Sequence, residues 1–338
     1  MSRVTIKDIA LAAKVSPMTV SNVINARPSK ASPETVERIN QAIRALGYQP
    51  NLSARALASR ASRLIGVVVP FTEDENQLLL NNPFYAEVIS GIESALRARG
   101  YFMMLSGLGK NSGDVDVLAQ WNVDALIAIG IYREGLFSRL RQRHLPTLLI
   151  DSYIADDEVH HLRLADDQAA RRATEHLIAH GHRRIALVTG AVRDGGVVEQ
   201  RLAGYRRALE TAGISYNPDL VLAGSVTFDW GIDAAERLIA RRATAAFCTA
   251  DLIAAGVLTG LHQRNVAIPG DISVLGFDNL PVSRMVYPAL STVDQAILTK
   301  GKMAGNIVLD LLEGRQPARE TLLDATIIER QSVGPVRQ

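Results

Sequence analysis

Val15-Ser-Pro-Met-Thr-Val-Ser-Asn-Val-Ile-Asn25 decides how the amino-terminal region is read. Ser16 is placed to cap a helix, and Pro17 fills its first position, where a missing N–H costs nothing. Val20, Val23 and Ile24 then share one face at i, i+3, i+4 spacing, leaving Thr19, Ser21, Asn22 and Asn25 for other faces. Upstream, Thr5-Ile-Lys-Asp8 has the T-x-x-D spacing of a helix start, with the threonine hydroxyl expected to take a free backbone N–H. That helix runs on through Ile9, Ala10 and Ala13. Downstream, Ser32-Pro33-Glu34 opens a third helix with Val36, Ile39, Ile43 and Leu46 as its stripe and Gly47 as its stop. Each stripe is too narrow to hold a helix alone. Packed together, the three make a small core with the second helix projecting.

Charge sets this region apart. Residues 1–63 carry ten Lys/Arg against three acids, while the remaining 275 residues carry 27 bases and 32 acids. A basic arm on a mildly acidic body suggests a polyanion for the arm and another ligand for the body. Two short helices around a tight turn on a basic background suggest a helix-turn-helix, whose second helix enters the DNA major groove. Met18 is suited to a thymine methyl and Asn22 to a base edge or a phosphate. A three-helix protein-binding module would share the pattern. Next, Tyr48-Gln-Pro-Asn51 breaks the chain, and Asn51–Ser59 is an Ala-rich stretch too short to hold as an isolated helix. On residues alone it is equally a plain linker.

Beyond residue 63, apolar runs of strand length alternate with helical patterns. Leu64–Pro70, Tyr101–Leu105, Ala125–Ile129 and Thr147–Asp151 read as buried parallel strands, with helical stretches such as Phe84–Arg99 between them. The pattern restarts at Arg184–Gly190 and continues through Leu220–Leu222, Ala245–Thr249 and Ile272–Phe277. Two successive series predict two doubly wound parallel-sheet subdomains, with a ligand cleft where their strand ends face each other. Asp151, Asp251 and Asp278 follow strands, Arg201 opens a helix, and Phe84, Phe228 and Trp230 add aromatic surface. Carboxylates accept from vicinal hydroxyls, arginine donates in a fork, and a ring covers an apolar sugar face. An aspartate after a strand is often a helix cap instead, a reading that suits Asp251 better than the ligand role and Asp151 equally well, and Trp230 is equally placed as ordinary core.

Other classes of function find little support. The balance of 47% hydrophobic and 21% charged residues is that of a folded chain. A single cysteine, Cys248, sits in an apolar run and cannot form an internal disulfide framework. No stretch approaches the roughly 18 apolar residues of a membrane span, and the amino terminus lacks a signal-peptide core, so the expected address is the cytoplasm. Ser106-Gly-Leu-Gly-Lys-Asn111 fails the phosphate-loop pattern, His160-His161 has no metal-ligand partner spacing, and there is no G-x-S-x-G elbow. No cofactor, metal or catalytic centre is expected.

Four blocks carry a family resemblance: Thr5-Ile-Lys-Asp-Ile-Ala10, Val15–Asn25, Leu46-Gly-Tyr-Gln-Pro-Asn51 and Ser62-Arg-Leu-Ile-Gly-Val-Val-Val-Pro70. In order and spacing the chain resembles the lactose repressor (LacI/GalR) family of bacterial transcription regulators, through about residue 333. The resemblance implies an all-α headpiece over residues 1–50, a hinge helix and linker over 51–62, and a periplasmic-binding-protein-like core over 63–338 that binds effector and dimerises. In a repressor of this kind, Pro17, Met18, Thr19 and Asn22 are expected to read or touch the major groove, Thr5, Ser16 and Asn25 to hold phosphates, and Ser21 to contact DNA beside them. Leu57 takes the place of a leucine wedged into the minor groove, with Ala54 on the same side. Arg201-Leu-Ala-Gly-Tyr205 and Gly276-Phe-Asp-Asn279 match effector-contacting blocks, and Asp151 and Gln295 match further pocket positions. Ala250 replaces an asparagine found in some sugar-binding members, and Val226 stands where several carry an aromatic.

The expected protein is therefore a homodimeric repressor of a palindromic operator, with a sugar or glycoside as effector, more suited to induction than to corepression. A same-family repressor with a nucleobase corepressor is one alternative. A sugar-binding protein without DNA activity and an enzyme on a similar fold are others. The basic headpiece argues against the former, and the lack of a catalytic motif against the latter.

Overall fold

The computed structural model describes residues 4–24, 31–48, 61–70, 78–108, 122–132, 134–142 and 144–337. The chain divides into two compact units, Met1–Ser62 and Arg63–Gln338.

In the first unit, α1 (Ile6–Ala13), α2 (Pro17–Ile24) and α3 (Pro33–Leu46) enclose a core in which Ile9, Ala13, Val20 and Ile39 are wholly buried. Lys14, at φ 52°, turns the chain out of α1. The Ser16 hydroxyl accepts the Thr19 N–H at 3.1 Å, and Ser32 accepts that of Thr35 at 3.3 Å. Arg38 Nε donates to the Ala13 carbonyl at 2.9 Å, tying α3 to the end of α1. Two expectations change. At the first cap the Asp8 carboxylate takes both the Thr5 N–H (2.8 Å) and the Thr5 hydroxyl (2.7 Å), so the threonine donates. The carboxylate is the stronger acceptor, and these bonds hold its pKa below the usual carboxylate range. Leu46 is exposed rather than in the stripe: Gly47, at φ 63°, turns Tyr48 back to the Ile43 carbonyl and onto the core instead.

The second unit holds two six-stranded sheets. The first contains β1 (Leu64–Pro70), β2 (Phe102–Leu108), β3 (Ala125–Ile129), β4 (Thr147–Ile150), β5 (His160–Leu164) and β11 (Glu320–Leu323). Their order is β11-β5-β4-β3-β1-β2, every pairing parallel. The second contains β6 (Ile185–Gly190), β7 (Val221–Gly224), β8 (Ala245–Cys248), β9 (Ser273–Asp278), β10 (Ser291–Asp294) and β12 (Thr326–Ile328). Here the order is β12-β10-β9-β8-β6-β7, with only β10 and β12 antiparallel. Both faces of each sheet are covered, which is why Ala125–Ile129 and Ile185–Gly190 are buried at every position. Cys248 is buried in β8, and burial pushes its thiol up.

The two lobes are not consecutive in the chain. It passes from the first to the second after Leu164, back after Asp294, and over again after Leu323. The return brings α11 (Ile297–Leu312) against α4 (Pro83–Ala98) of the first lobe. Glycines permit that contact: a methyl on Gly91 would lie 2.5 Å from the Leu298 carbonyl oxygen. The crossings matter for function because they place Asp166 and Gln295 beside the strand ends.

Candidate functional site

A cavity of about 130 Å³ lies between the lobes. From the first lobe it is walled by Phe84 and Tyr85 at the start of α4, Tyr132 beyond β3, and Asp151 beyond β4. From the second come Arg201 on α7 (Val197–Thr211), Thr249 beyond β8 and Asp278 at the end of β9, with Gln295 at the crossing. Tyr132 reaches over the cleft, since a methyl on Gly196 would sit 3.8 Å from its ring. Asp151, Asp278 and Ala296 adopt φ values of 50°, 123° and 50°. Backbone strain of this kind collects where function holds the chain against its preference.

The polar groups form two linked sets. Arg201 Nε donates to Asp166 Oδ1 at 2.8 Å and Nη1 to the Thr249 carbonyl at 2.7 Å, with the guanidinium 3.8 Å from the Phe277 ring centroid. Asp166 is the first residue of α6 (Asp166–Ala179) and is wholly buried. Burial pushes its carboxyl up, and Arg201 opposes the shift. Its other oxygen accepts the Tyr153 hydroxyl at 2.9 Å, so a first-lobe side chain reaches the start of the second lobe. In the other set, Lys300 Nζ donates to both oxygens of Asp151, at 2.9 and 3.0 Å, and to Gln295 Oε1 at 2.7 Å. Gln295 Nε2 then donates to Asp278 Oδ1 at 2.6 Å. Burial lifts the Asp278 carboxyl to about 7, against the pull of Arg201 and of the Gln295 bond. Burial also drives the Tyr132 phenol well up, so it remains a neutral donor and acceptor.

Five of the expected effector residues therefore stand together: Phe84, Asp151, Arg201, Asp278 and Gln295. Three do not reach the cavity wall. Asp251 opens α9 (Asp251–Gln263) wholly buried, accepting the Leu280 N–H at 2.8 Å and the Thr292 hydroxyl at 2.6 Å. Its carboxyl, pushed up by burial and by Asp278, braces the turn after β9. Trp230 in α8 (Phe228–Ala240) lies on Gly224 and donates to the Thr189 carbonyl at 3.1 Å. Phe228, first in that helix, is 38% exposed. Val226, with its short side chain, lines the cavity itself. Lys300, Asp166 and Tyr132 were missed. Lys300 had a signal: it falls on the buried stripe of Ile297, Gly301, Ala304 and Val308, where a lysine is out of place.

In the first unit, Ser16, Pro17 and Met18 are exposed around the start of α2, with Met18 69% exposed, while Thr19, Ser21 and Asn22 are half-buried. Thr5 is exposed at the start of α1. Val20 points the opposite way, into the core. Asn25, Ala54 and Leu57, and with them the expected hinge helix, lie outside the described residues.

Comparison with known proteins agrees with both units. Residues 5–51 match the family model described as bacterial regulatory proteins, lacI family, and residues 174–333 match a periplasmic binding protein-like domain. Catabolite control protein A of Priestia megaterium is 32% identical, with 96% of each chain covered. The HTH-type transcriptional repressor PurR of Vibrio atlanticus is 31% identical, over 97% of this chain and 98% of that one. The chain belongs to the LacI family. It is thus a DNA-binding transcription regulator with a ligand-binding core. Its fold follows that of the Lac repressor dimer bound to operator and an anti-inducer, with TM-score 0.86 and 25% identity over 98% and 99% of the two chains. A CelR–cellobiose complex aligns with TM-score 0.73 and 29% identity, covering 98% and 100%. Among the described residues, no helix of this LacI-family regulator is long and apolar enough to cross a membrane.

Proposed function

We propose that this protein is a cytoplasmic, homodimeric repressor that releases a palindromic operator when a sugar or glycoside fills the inter-lobe cavity. The observation that carries the effector class is the cavity wall itself. Aromatic rings on the first-lobe side face an arginine and a carboxylate on the second, an arrangement suited to a ring with apolar faces and hydroxyl edges. The cellobiose complex of a structural neighbour supports the same class. Met18, Pro17, Thr19, Ser21 and Asn22 would meet base edges, and Thr5, Ser16 and Asn25 the phosphates. Leu57 would wedge the minor groove beside Ala54 once two hinge helices pair. The effector acts by its difference in affinity between two lobe arrangements, a coupling of about 1–3 kcal/mol.

A nucleobase corepressor is the second reading, supported by the likeness to PurR and by the rings of Phe84, Tyr85 and Tyr132. Gel shifts with the full chain test both. Operator fragments selected by the protein should be released by neutral sugars. Tighter binding with purine bases would favour the second reading instead. Asn22→Ala should lose operator binding without loss of fold, and unchanged binding would remove α2 from the groove.

A further inference from the structure

Lys300 is wholly buried, on the face of α11 that packs into the first lobe. A site that needed only packing there would be served by leucine or methionine, and an ammonium persists in such a place only when it is paired. Its three N–H donors have three partners: the two oxygens of Asp151 and the Gln295 carbonyl. Two consequences follow for the cavity. Asp151 faces it as half of a neutral pair, with no unbalanced charge. Gln295, its oxygen held by Lys300, can only turn its amide NH₂ to Asp278.

We propose that Lys300 is the specificity-determining residue of the cleft, positioning Asp151 and Gln295 so that the cavity selects an uncharged, hydroxyl-bearing ligand over its phosphorylated or acidic form. This rests on the effector reading above. Arg201 is held by Asp166 and Lys300 by Asp151, so neither buried cation is left over for an anion. The remaining ionisable residues on the wall, Arg193 and Asp278, are of opposite type. A phosphate or carboxylate could gain either buried cation only by breaking a buried ion pair, and that cost is the source of the discrimination. A hydroxyl needs neither, because each paired carboxylate oxygen keeps acceptor capacity.

Calorimetry on the full-length protein near neutral pH tests this with three sets of probes. D-glucose, D-ribose and cellobiose are neutral, glucose 6-phosphate and ribose 5-phosphate are anionic, and D-glucosamine is cationic. Wild type should bind a neutral sugar at least about tenfold more tightly than its phosphate. Lys300→Met should weaken that sugar by about tenfold or more, through loss of charged hydrogen bonds that orient its contacts. The same variant should move the preference from glucose toward glucosamine, a change that a packing role would not produce. Lys300→Met/Asp151→Asn, which is charge-balanced and so guards against misfolding of the single variant, should return the preference toward neutral sugars. Wild-type preference for a phosphorylated probe overturns the proposal. Unaltered sugar affinity and charge preference in Lys300→Met remove the Lys300 assignment alone. Wild type that binds none of the probes removes the sugar reading and this inference with it.

Discussion

The two lobes close their strands with the same residue and treat it oppositely. Asp151 ends the first-lobe side of the cleft under a fully donating ammonium, while Asp278 ends the second-lobe side with an amide as its bonded side-chain partner. Both are buried and both sit at positive φ. The difference lies in what the chain brings back. Its return to the first lobe carries Lys300 to Asp151, whereas Arg201, the guanidinium that pulls on Asp278, is already bonded to Asp166. One wall of the cavity is thereby electrically settled and the other is left able to respond.

The strongest test of this contrast removes the cation from the second lobe. Arg201→Ala strands Asp166, which is wholly buried. Breaking a buried pair from one side costs about 3–5 kcal/mol, and replacing both partners by apolar groups costs far less. Urea denaturation of the full chain should therefore show a large loss for Arg201→Ala and a partial recovery in Arg201→Met/Asp166→Leu. Equal losses in the two would mean that the pair acts only by packing. Both variants should lose the effector response, since Arg201 walls the cavity.

A smaller effect separates Asp278 from Asp151 directly. The Asp278 carboxyl sits at about 7 in the folded protein, against an ordinary 3.8. Between those values the unfolded chain releases this proton while the folded chain keeps it. The folded state then binds more protons, so this group's contribution to stability falls as pH rises, by at most about 1.4 kcal/mol per pH unit. Below about pH 3 the effect is flat, because both states are protonated. Asp278→Asn removes the slope, and the wild-type-minus-variant difference from denaturation at several pH values isolates it from other carboxylates. A difference that does not change with pH would mean that the fold leaves the Asp278 carboxyl unshifted. An effector that donates a hydroxyl to the ionised form should also bind more tightly as pH rises through 7.

The same contrast shows what a sequence exposes. Strands buried on both faces, such as Ala125–Ile129, announce themselves as continuous apolar runs, and the expected boundaries fall within three residues of the observed ones. His160-His-Leu-Arg-Leu164 and Glu320-Thr-Leu-Leu323 read as polar or mixed because they lie toward one edge of their sheet, and neither was expected. Strand-end positions pointed to Asp151 and Asp278, but the same logic included Asp251, which braces a turn instead. The chain crossings were not legible, because periodicity gives an element and not the lobe to which it returns. Lys300 and Asp166 depend on those crossings, so they became visible only with the fold.

The smallest predicted effect tests the boundary of the second-lobe wall. Trp230 has the aromatic surface expected of a sugar platform, yet its indole N–H is committed to the Thr189 carbonyl and its ring to Gly224, where a methyl would come within 2.3 Å of it. Trp230→Phe removes the hydrogen bond and keeps most of the apolar contact, so stability should fall by about 1 kcal/mol. Affinity for whichever neutral sugar the protein binds should stay within error of wild type. Phe84→Ala, on the opposite wall, should weaken that sugar severalfold, since its ring lines the cavity. Should Trp230→Phe weaken the sugar as much as Phe84→Ala does, the second-lobe wall would extend to α8, and the contrast between an aromatic first lobe and a charged second lobe would fail.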